Sequence, residues 1–418
     1  MKIPLTSAWQ KSLVLGTAVV FCLAYIAVAG RLFLASWFGE RVEMASLQRA
    51  ARMDSGNADY RDHLGRYYAL VARDPALAIE PYRAAVQLNP HSARYWFDLA
   101  SAYQVLGNVE EQTNALEQAI RADPTTPDVA WEAANLYLVQ GEDEKALREF
   151  RVVLENDQSL ANSAMQLCWR IKPDVDALLA DVVPARPPAY FAFMNLLMTK
   201  QETAATAKVW DALMATQEPF EQRDLFEYFH YLILHKDVDQ AFTVWQEGAR
   251  RFGLSSYVPM AHNLIVNGDF GLDILNAGFD WHYEKQRSVA LTLDPSEFHG
   301  GHRSLLITFD GPGVNDAGIY QWIPVRASTT YEFSAYYKNG ELEGAGGLHF
   351  TIQDFYSSAV LYDSDELEQA GFWRSATGEF TTGADSRLLM LHIRRLPEGS
   401  PIRGKLWVDD FRLVKKQQ

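Results

Sequence analysis

Three patterns of apolar and polar residues follow one another along the 418-residue chain. Residues 12–30 carry no charge, and residues 58–158 repeat their apolar positions at helical spacing, less regularly as far as 253. From 262 to 414, short segments of alternating polarity are separated by Gly, Pro, Asn and Asp. In order, the patterns predict a membrane-spanning helix, an all-α solenoid and an all-β sandwich, and therefore a multidomain protein.

The uncharged run over 12–30 fits a membrane anchor. As a helix it would be ~28 Å long, close to the ~30 Å thickness of a bilayer's hydrocarbon core. Lys2 and Lys11 precede it, and a basic flank favours the cytoplasmic side. We therefore expect a cytoplasmic segment over 1–11, an anchor over 12–38 and a linker helix over 39–57.

A removable signal sequence is the competing interpretation of this segment. Ala27-Val28-Ala29 has the small-x-small form of a cleavage site, so the alternative is a protein secreted after cleavage near Ala29. Both interpretations place the rest of the chain outside the cytoplasm. The expected location is periplasmic, with a single-pass anchor in a bacterial inner membrane.

The helical pattern over 58–158 repeats every 34 residues. The matching positions are Pro90 and Pro124, Tyr103 and Tyr137, Gly107 and Gly141, and Leu116 and Phe150. This period predicts stacked helical hairpins, none of which can bury its apolar face alone. Gly107 is expected to end the first helix of its hairpin. The pattern resembles the tetratricopeptide repeat (TPR), from which Gln112 and Gln158 depart.

The resemblance implies a solenoid that binds a protein partner in its groove. Degenerate hairpins are expected to extend it through 58–253. A separate helical domain over 175–253 is the alternative.

The C-terminal third predicts antiparallel strands. The segments with alternating polarity are 303–309, 318–325, 331–338, 347–355, 387–394 and 405–414. Asn267-Gly268-Asp269-Phe270, His299-Gly300-Gly301 and Trp407-Val408-Asp409-Asp410-Phe411 occur in that order. Together they resemble the jelly-roll carbohydrate-binding modules of xylanases and glucanases, with a galactose-binding-like fold, over 262–414. This resemblance implies two properties, sugar binding and a structural calcium.

Sugars are bound by aromatic faces with planar polar side chains beside them. Alternation places such side chains on the outer faces of three strands, where they form a groove if the strands are neighbours in one sheet. The candidates are Tyr336, Lys338, His349, Gln353, His392 and Arg394, with Trp281 as an aromatic candidate. However, any half-buried antiparallel sheet has a polar outer face. Trp373 and Trp407 are predicted to lie in the core.

The structural calcium is implied by the resemblance alone. A hard cation takes six to eight oxygen ligands. Asp410 or Asp409, with backbone carbonyls near His299, would supply some of them. Gly271 stands where such modules often have an acidic residue.

Composition and motifs exclude several classes of function. The net charge of −15 argues against a nucleic-acid partner. Cys22 and Cys168 lie in different regions and build no disulfide framework. Since no nucleotide-binding, zinc-binding or serine-nucleophile motif occurs in a suitable context, we expect no enzyme activity.

The expected function is that of a membrane-anchored scaffold in cell-envelope or exopolysaccharide assembly or export. It would bind a protein through the repeats and a glycan through the sandwich. The alternatives are a scaffold that docks only proteins, or an accessory subunit of a separate glycan-active enzyme.

Overall fold

The computed structural model describes residues 7–416 except 312, 345 and 346, so the first six residues of the predicted cytoplasmic segment 1–11 lie outside it. The chain divides into two compact units between Glu218 and Pro219. The first unit is helical, and the second contains a helical hairpin and all the strands of the described residues.

The helices of the first unit follow one another as antiparallel hairpins. They are α1 (Ala8–Gly39), α2 (Met44–Met53), α3 (Ala58–Arg66), α4 (Pro75–Leu88), α5 (Ala93–Leu106), α6 (Val109–Ala122), α7 (Pro127–Gln140), α8 (Asp143–Asn156), α9 (Ala161–Ile171), α10 (Val175–Asp181), α11 (Pro187–Thr199) and α12 (Thr203–Ala215). A short π-helical segment, Tyr67–Val71, follows α3.

Helix α1 is long and apolar enough to cross a membrane. It begins at a capping box formed by Ser7 and Gln10, and its mean hydropathy reaches 2.4 over a window with no buried residue. A signal sequence has the same properties. Its last turns, by contrast, belong to the folded unit, since Ala35 and Gly39 are buried and the ring of Tyr60 packs against Gly39.

The predicted linker over 39–57 contains a helix, as expected, but this helix is packed. Helix α2 contacts α1, and Arg31 of α1 donates to the carbonyl of Met53 at the end of α2. The first helical hairpin therefore begins within α1 itself.

The repeat pattern predicts both the ends and the core of the central hairpins. Gly107 and Gly141 have φ of 74° and 76° and end α5 and α7; this left-handed conformation costs glycine least. Leu116, Ala119 and Phe150 have no exposed surface. The prediction that Gly107 ends its helix is confirmed.

The second unit begins with a hairpin of two helices and continues with ten strands in the described part. These elements are α13 (Gln222–Leu234), α14 (Val238–Arg251), β1 (Trp281–Tyr283), β2 (Val289–Asp294), β3 (Ser304–Gly311), β4 (Asp316–Pro324), β5 (Thr330–Gly344), β6 (Gly347–Asp354), β7 (Val360–Asp363), β8 (Arg374–Thr381), β9 (Leu388–Leu396) and β10 (Ile402–Lys415). All six segments predicted from alternation form strands, and β1, β2, β7 and β8 were not predicted.

Two antiparallel sheets form the sandwich. The first sheet has the strand order β1-β4-β9-β6-β7, and the second sheet has the order β2-β3-β10-β5-β8. Phe333, Phe350 and Leu391 point into the shared core, as alternation predicts. The jelly-roll-like all-β architecture predicted for 262–414 is therefore present.

The hairpin α13–α14 belongs to the unit of the sandwich, whereas we predicted a helical domain that ends at 253. Phe279, ahead of β1, packs on Phe229 of α13 with ring centroids 4.9 Å apart. Tyr356, which follows β6, donates its hydroxyl to the carbonyl of Ile233 at 2.7 Å. The apolar face of this last hairpin is thus buried against the strands.

Candidate functional site

The sheets separate the predicted sugar-binding residues into two groups. Strands β6 and β9 are neighbours in the first sheet, whereas β5 lies in the second sheet between β10 and β8. Tyr336 and Lys338 of β5 therefore lie on a different sheet from His349, Gln353, His392 and Arg394. The condition for one groove across all three strands, that they are neighbours in one sheet, is therefore not met. Strand order depends on non-local pairing that alternation does not determine.

Trp281 is a core residue and offers no ring to a ligand. It is 1% exposed, and its ring centroid lies 5.3 Å from that of Phe270 and 5.0 Å from that of Phe411. Its indole Nε1 donates to the carbonyl of Asn267 at 3.1 Å. Trp373 and Trp407, predicted to be buried, are partly exposed, so these two predictions are also wrong.

The other four candidates share the outer face of the first sheet. His349 lies opposite Arg394, and Gln353 lies opposite Met390. His392 lies opposite Tyr320 of β4, and Met390 lies opposite Trp322. The strand pairing therefore gathers polar and aromatic side chains from β4, β6 and β9 on one surface.

A groove of about 290 Å³ lies on this surface. We call it the β4–β9 groove, and it is lined by Glu284, Gln286, Asp316, Gly318, Tyr320, Trp322, Phe355, Met390 and His392. Of the seven residues predicted to bind sugar, only His392 lines it. Tyr320 and Trp322 were the signal that sequence reasoning missed, since they alternate outward on a strand that was predicted correctly.

Two buried polar atoms beside the β4–β9 groove have no hydrogen-bond partner. His392, 8% exposed, pairs its Nδ1 with Oδ2 of Asp316 at 2.7 Å, while its Nε2 is unpaired. Since a carboxylate oxygen of Asp316 accepts, Nδ1 carries a proton, and Nε2 accepts a hydrogen bond in the neutral ring and donates one in the protonated ring. Trp322, 5% exposed, has an unpaired Nε1 donor. Unpaired buried polar groups are rare and costly.

Aromatic rings form a wall around these atoms. His282 stacks on Tyr320 with ring centroids 5.3 Å apart and ring planes at 7°, and its ring centroid lies 4.4 Å from that of Trp322. Burial, with a smaller contribution from the charge of His230, lowers the pKa of His282 to about 4. The imidazole of His282 is therefore neutral near pH 7, and it packs in this wall as an uncharged ring.

The remaining first-sheet candidates already have partners or lie beside the β4–β9 groove. His349 pairs its Nδ1 with the carbonyl of Ser364 at 2.7 Å, and Arg394 donates to Glu398 at 2.7 Å. Gln353 is half-buried and lies opposite Met390, which in turn lies opposite Trp322. On the second sheet, Tyr336 is covered by the ring of His299 at 3.6 Å, and Lys338 pairs with Glu297 at 2.8 Å.

The residues predicted to hold calcium do not fit a hard cation. Oδ2 of Asp409 accepts from the backbone N–H groups of His299 at 2.7 Å and Gly300 at 3.0 Å, and Nδ1 of His299 pairs with Asp410 at 2.5 Å. Burial raises the pKa of Asp409 to about 6 against these hydrogen bonds. Donors thus occupy oxygens that a cation needs. The described residues contain no group of three or more His, Cys, Asp or Glu that could hold a metal.

In the first unit, ionic pairs join consecutive hairpins. Arg94 of α5 donates to the buried Asp62 of α3 at 2.8 Å, and Arg66 of α3 donates to Asp98 of α5 at 2.7 Å. Burial, and next the charge of Asp98, raise the pKa of Asp62 to about 7. This network fixes how the first helices of two consecutive hairpins pack.

No family model matches the chain, and no curated protein matches it. Among solved structures, it is similar to a CBM4 carbohydrate-binding module at 18% identity, over 36% of this chain and 99% of the module, with a TM-score of 0.29. It is also similar to Pseudomonas aeruginosa PilF at 18% identity, over 54% of this chain and 92% of PilF, with a TM-score of 0.27.

A third similar structure is YrrB, a TPR protein with an unusual peptide-binding site. The identity is 14%, over 50% of this chain and 93% of YrrB, with a TM-score of 0.25. The chain joins TPR-like helical repeats to a β-sandwich like those of carbohydrate-binding modules. Since all three TM-scores lie below 0.5, we infer what the chain binds from its own geometry.

Proposed function

We propose that this protein is a membrane-anchored binding protein that holds a glycan in the β4–β9 groove and a protein partner on its helical repeats. We place it outside a bacterial inner membrane, in the assembly or export of surface polysaccharide, and propose that it has no enzyme activity. The observation that carries the proposal is the pair of unpaired buried atoms beside the groove, Nε2 of His392 and Nε1 of Trp322.

This chemistry suits a sugar. A hydroxyl group can donate to an imidazole nitrogen and also accept from an indole N–H, so one class of ligand satisfies both atoms. Tyr320 and Phe355, both half-buried, supply aromatic surface beside them, and the C–H faces of a pyranose pack on such rings. The groove of about 290 Å³ is close to the lower end of the usual range for ligand pockets.

Glycan binding can be tested with the full chain in detergent micelles. Soluble xylans, β-glucans, chitin oligosaccharides and bacterial exopolysaccharides would be compared by isothermal titration calorimetry. We expect one class to bind, and we expect His392→Ala and Tyr320→Ala to weaken it by about tenfold or more, because each removes a contact to the sugar. Tyr336→Ala, on the second sheet, is the matched control and should bind normally.

Two results would contradict glycan binding in this groove. One is the absence of binding to every glycan in the panel, which would favour a scaffold that docks only proteins. The other is binding that survives both groove substitutions but is lost in Tyr336→Ala. The proposal that the protein has no enzyme activity is tested by chromatography of the bound oligosaccharide after long incubation. Any cleavage by the purified chain would refute it.

The anchor is supported by α1, whose apolar window has no buried residue. A reporter fused after residue 60 tests its orientation. Activity of a periplasmic reporter, with the chain retained in the membrane fraction after a carbonate wash, is expected. Activity of a cytoplasmic reporter alone would refute the proposed topology, and release into the soluble fraction would favour cleavage near Ala29.

A further inference from the structure

Helix α13 closes one end of the β4–β9 groove. Trp322, at that end, packs on His230 with ring centroids 5.7 Å apart and on Phe229 at 6.4 Å. On another side its ring lies 5.5 Å from that of Phe355. Only 5% of Trp322 is exposed, so no extended chain can pass over it along the sheet.

Beyond Trp322, the same helix also covers the loop at the end of β6. The hydroxyl of Tyr356 donates to the carbonyl of Ile233, the next-to-last residue of α13. Lys236 follows the helix and lies over the ring of Tyr356 at 5.5 Å. Helix α13 therefore packs both on Trp322 and on the loop that follows β6.

The opposite end of the groove is open and acidic. Its rim holds Glu284, which is exposed, together with the half-buried Gln286 and Asp316. Neither Lys nor Arg is among the described residues that line the groove. Arg394, which lies opposite Asp316 in the ladder, donates to Glu398. Lys285 and Arg287, on either side of Gln286, are exposed but do not line the groove. A carboxylate or sulfate group that enters the groove would meet the like charge of Glu284 and Asp316.

We infer that the β4–β9 groove binds the terminal residue of a glycan chain that carries no acidic group, and does not bind the interior of a chain. The inference rests on the glycan binding proposed above and adds two properties, the end of the chain and its charge. The chain enters from the rim of Glu284 and Asp316 and stops against Trp322, beside His392.

The number of chain ends provides the test for end binding. The neutral polysaccharide that binds best in the panel would be partly hydrolysed until its average length falls about tenfold, which raises the number of ends per gram about tenfold. Because each end offers one site, the molar binding capacity per gram should rise by about the same factor. A capacity per gram that stays unchanged would overturn the inference and leave the proposed function intact. Absence of any glycan binding would refute both.

The charge of the rim can be tested with a matched pair of variants. An oligosaccharide with a uronic acid as its terminal residue should bind at least about tenfold more weakly than its neutral counterpart. Glu284→Lys should restore much of this loss, since it places a cation at the open end. Glu332→Lys, an equally exposed site on the second sheet, should restore nothing. Equal affinity of the wild type for the two sugars would overturn the inference about charge.

Discussion

We predict that the carboxyl group of Asp280 contributes stability to the second unit that is lost as pH rises. Asp280 has no exposed surface, and its Oδ2 accepts from the backbone N–H of Leu275 at 2.6 Å. Burial, the largest cause, raises the pKa of Asp280 from 3.8 to about 7 against the hydrogen bonds that it accepts. The folded state therefore binds this proton at pH values where the unfolded chain has released it.

The sign and size of the effect follow from linkage. Between pH 3.8 and about 7 the folded state holds more protons than the unfolded state, so the free energy of unfolding falls as pH rises through this window. The change amounts to about 4 kcal/mol over the window, at about 1.4 kcal/mol for each pH unit. Above both pKa values the contribution is constant.

The substitution Asp280→Asn isolates this contribution. Asparagine keeps an acceptor for Leu275 but does not titrate, so any cost of its amide group is the same at every pH. Urea unfolding of the full chain in micelles would be followed by pulse proteolysis that detects the second unit by its own fragment. The free energy of unfolding of the wild type minus that of the variant should fall by about 4 kcal/mol between about pH 4 and pH 8.

Asp354→Asn serves as the control of opposite sign. Burial alone would raise the pKa of Asp354, but hydrogen bonds from Ser357, Ser386 and Tyr356 lower it. For Asp354→Asn, the free energy of unfolding of the wild type minus that of the variant should therefore grow as pH rises through the acid range. A difference for Asp280→Asn that stays flat or grows between about pH 4 and pH 8 would refute the assignment of a buried, protonated Asp280.

Three further predictions concern the helical unit. Each is measured by urea unfolding of the full chain, with pulse proteolysis that detects the helical unit by its own fragment. Phe150→Ala should cost about 3–5 kcal/mol, because Phe150 is fully buried and its ring packs on that of Trp131; a cost below about 1 kcal/mol would contradict that packing. Gly141→Ala should cost about 1 kcal/mol through its φ of 76° alone, since the added Cβ meets no atom. Arg94→Ala should cost about 2 kcal/mol, because it removes one of the hydrogen-bonded cations that stabilise the buried carboxylate of Asp62. Adding Asp62→Asn should recover part of this loss.

The elements that the sequence predicts best are those fixed by local rules. A helix that ends at Gly107 needs one residue in the left-handed region, and glycine adopts it without the steric penalty of a Cβ. The inward and outward positions of β5, β6 and β9 follow from a period of two. Both rules act within a few residues, so they can be applied to a single sequence.

The order of the strands and the place of α13 depend on partners far away along the chain. Nothing within β5 distinguishes pairing with β8 and β10 from pairing with β6. Tyr336 therefore faces outward as predicted, but on a different sheet from His392 and Arg394. Likewise, the packing of Phe229 on Trp322 joins residues 93 positions apart. An apolar stripe on α13 predicts that the helix is buried but not which surface buries it.

The two outer faces of the sandwich differ in hydrogen-bond satisfaction more than in residue type. On the second sheet, Nε1 of Trp407 donates to Asp294 at 2.8 Å and Lys338 pairs with Glu297. On the first sheet, the same kind of indole nitrogen, in Trp322, has no partner. A folded chain that leaves such a donor unpaired beside an unpaired imidazole loses stability at both atoms, and a ligand with hydroxyl groups restores the missing hydrogen bonds. That difference, which composition cannot reveal, is the reason we propose the β4–β9 groove as the glycan site.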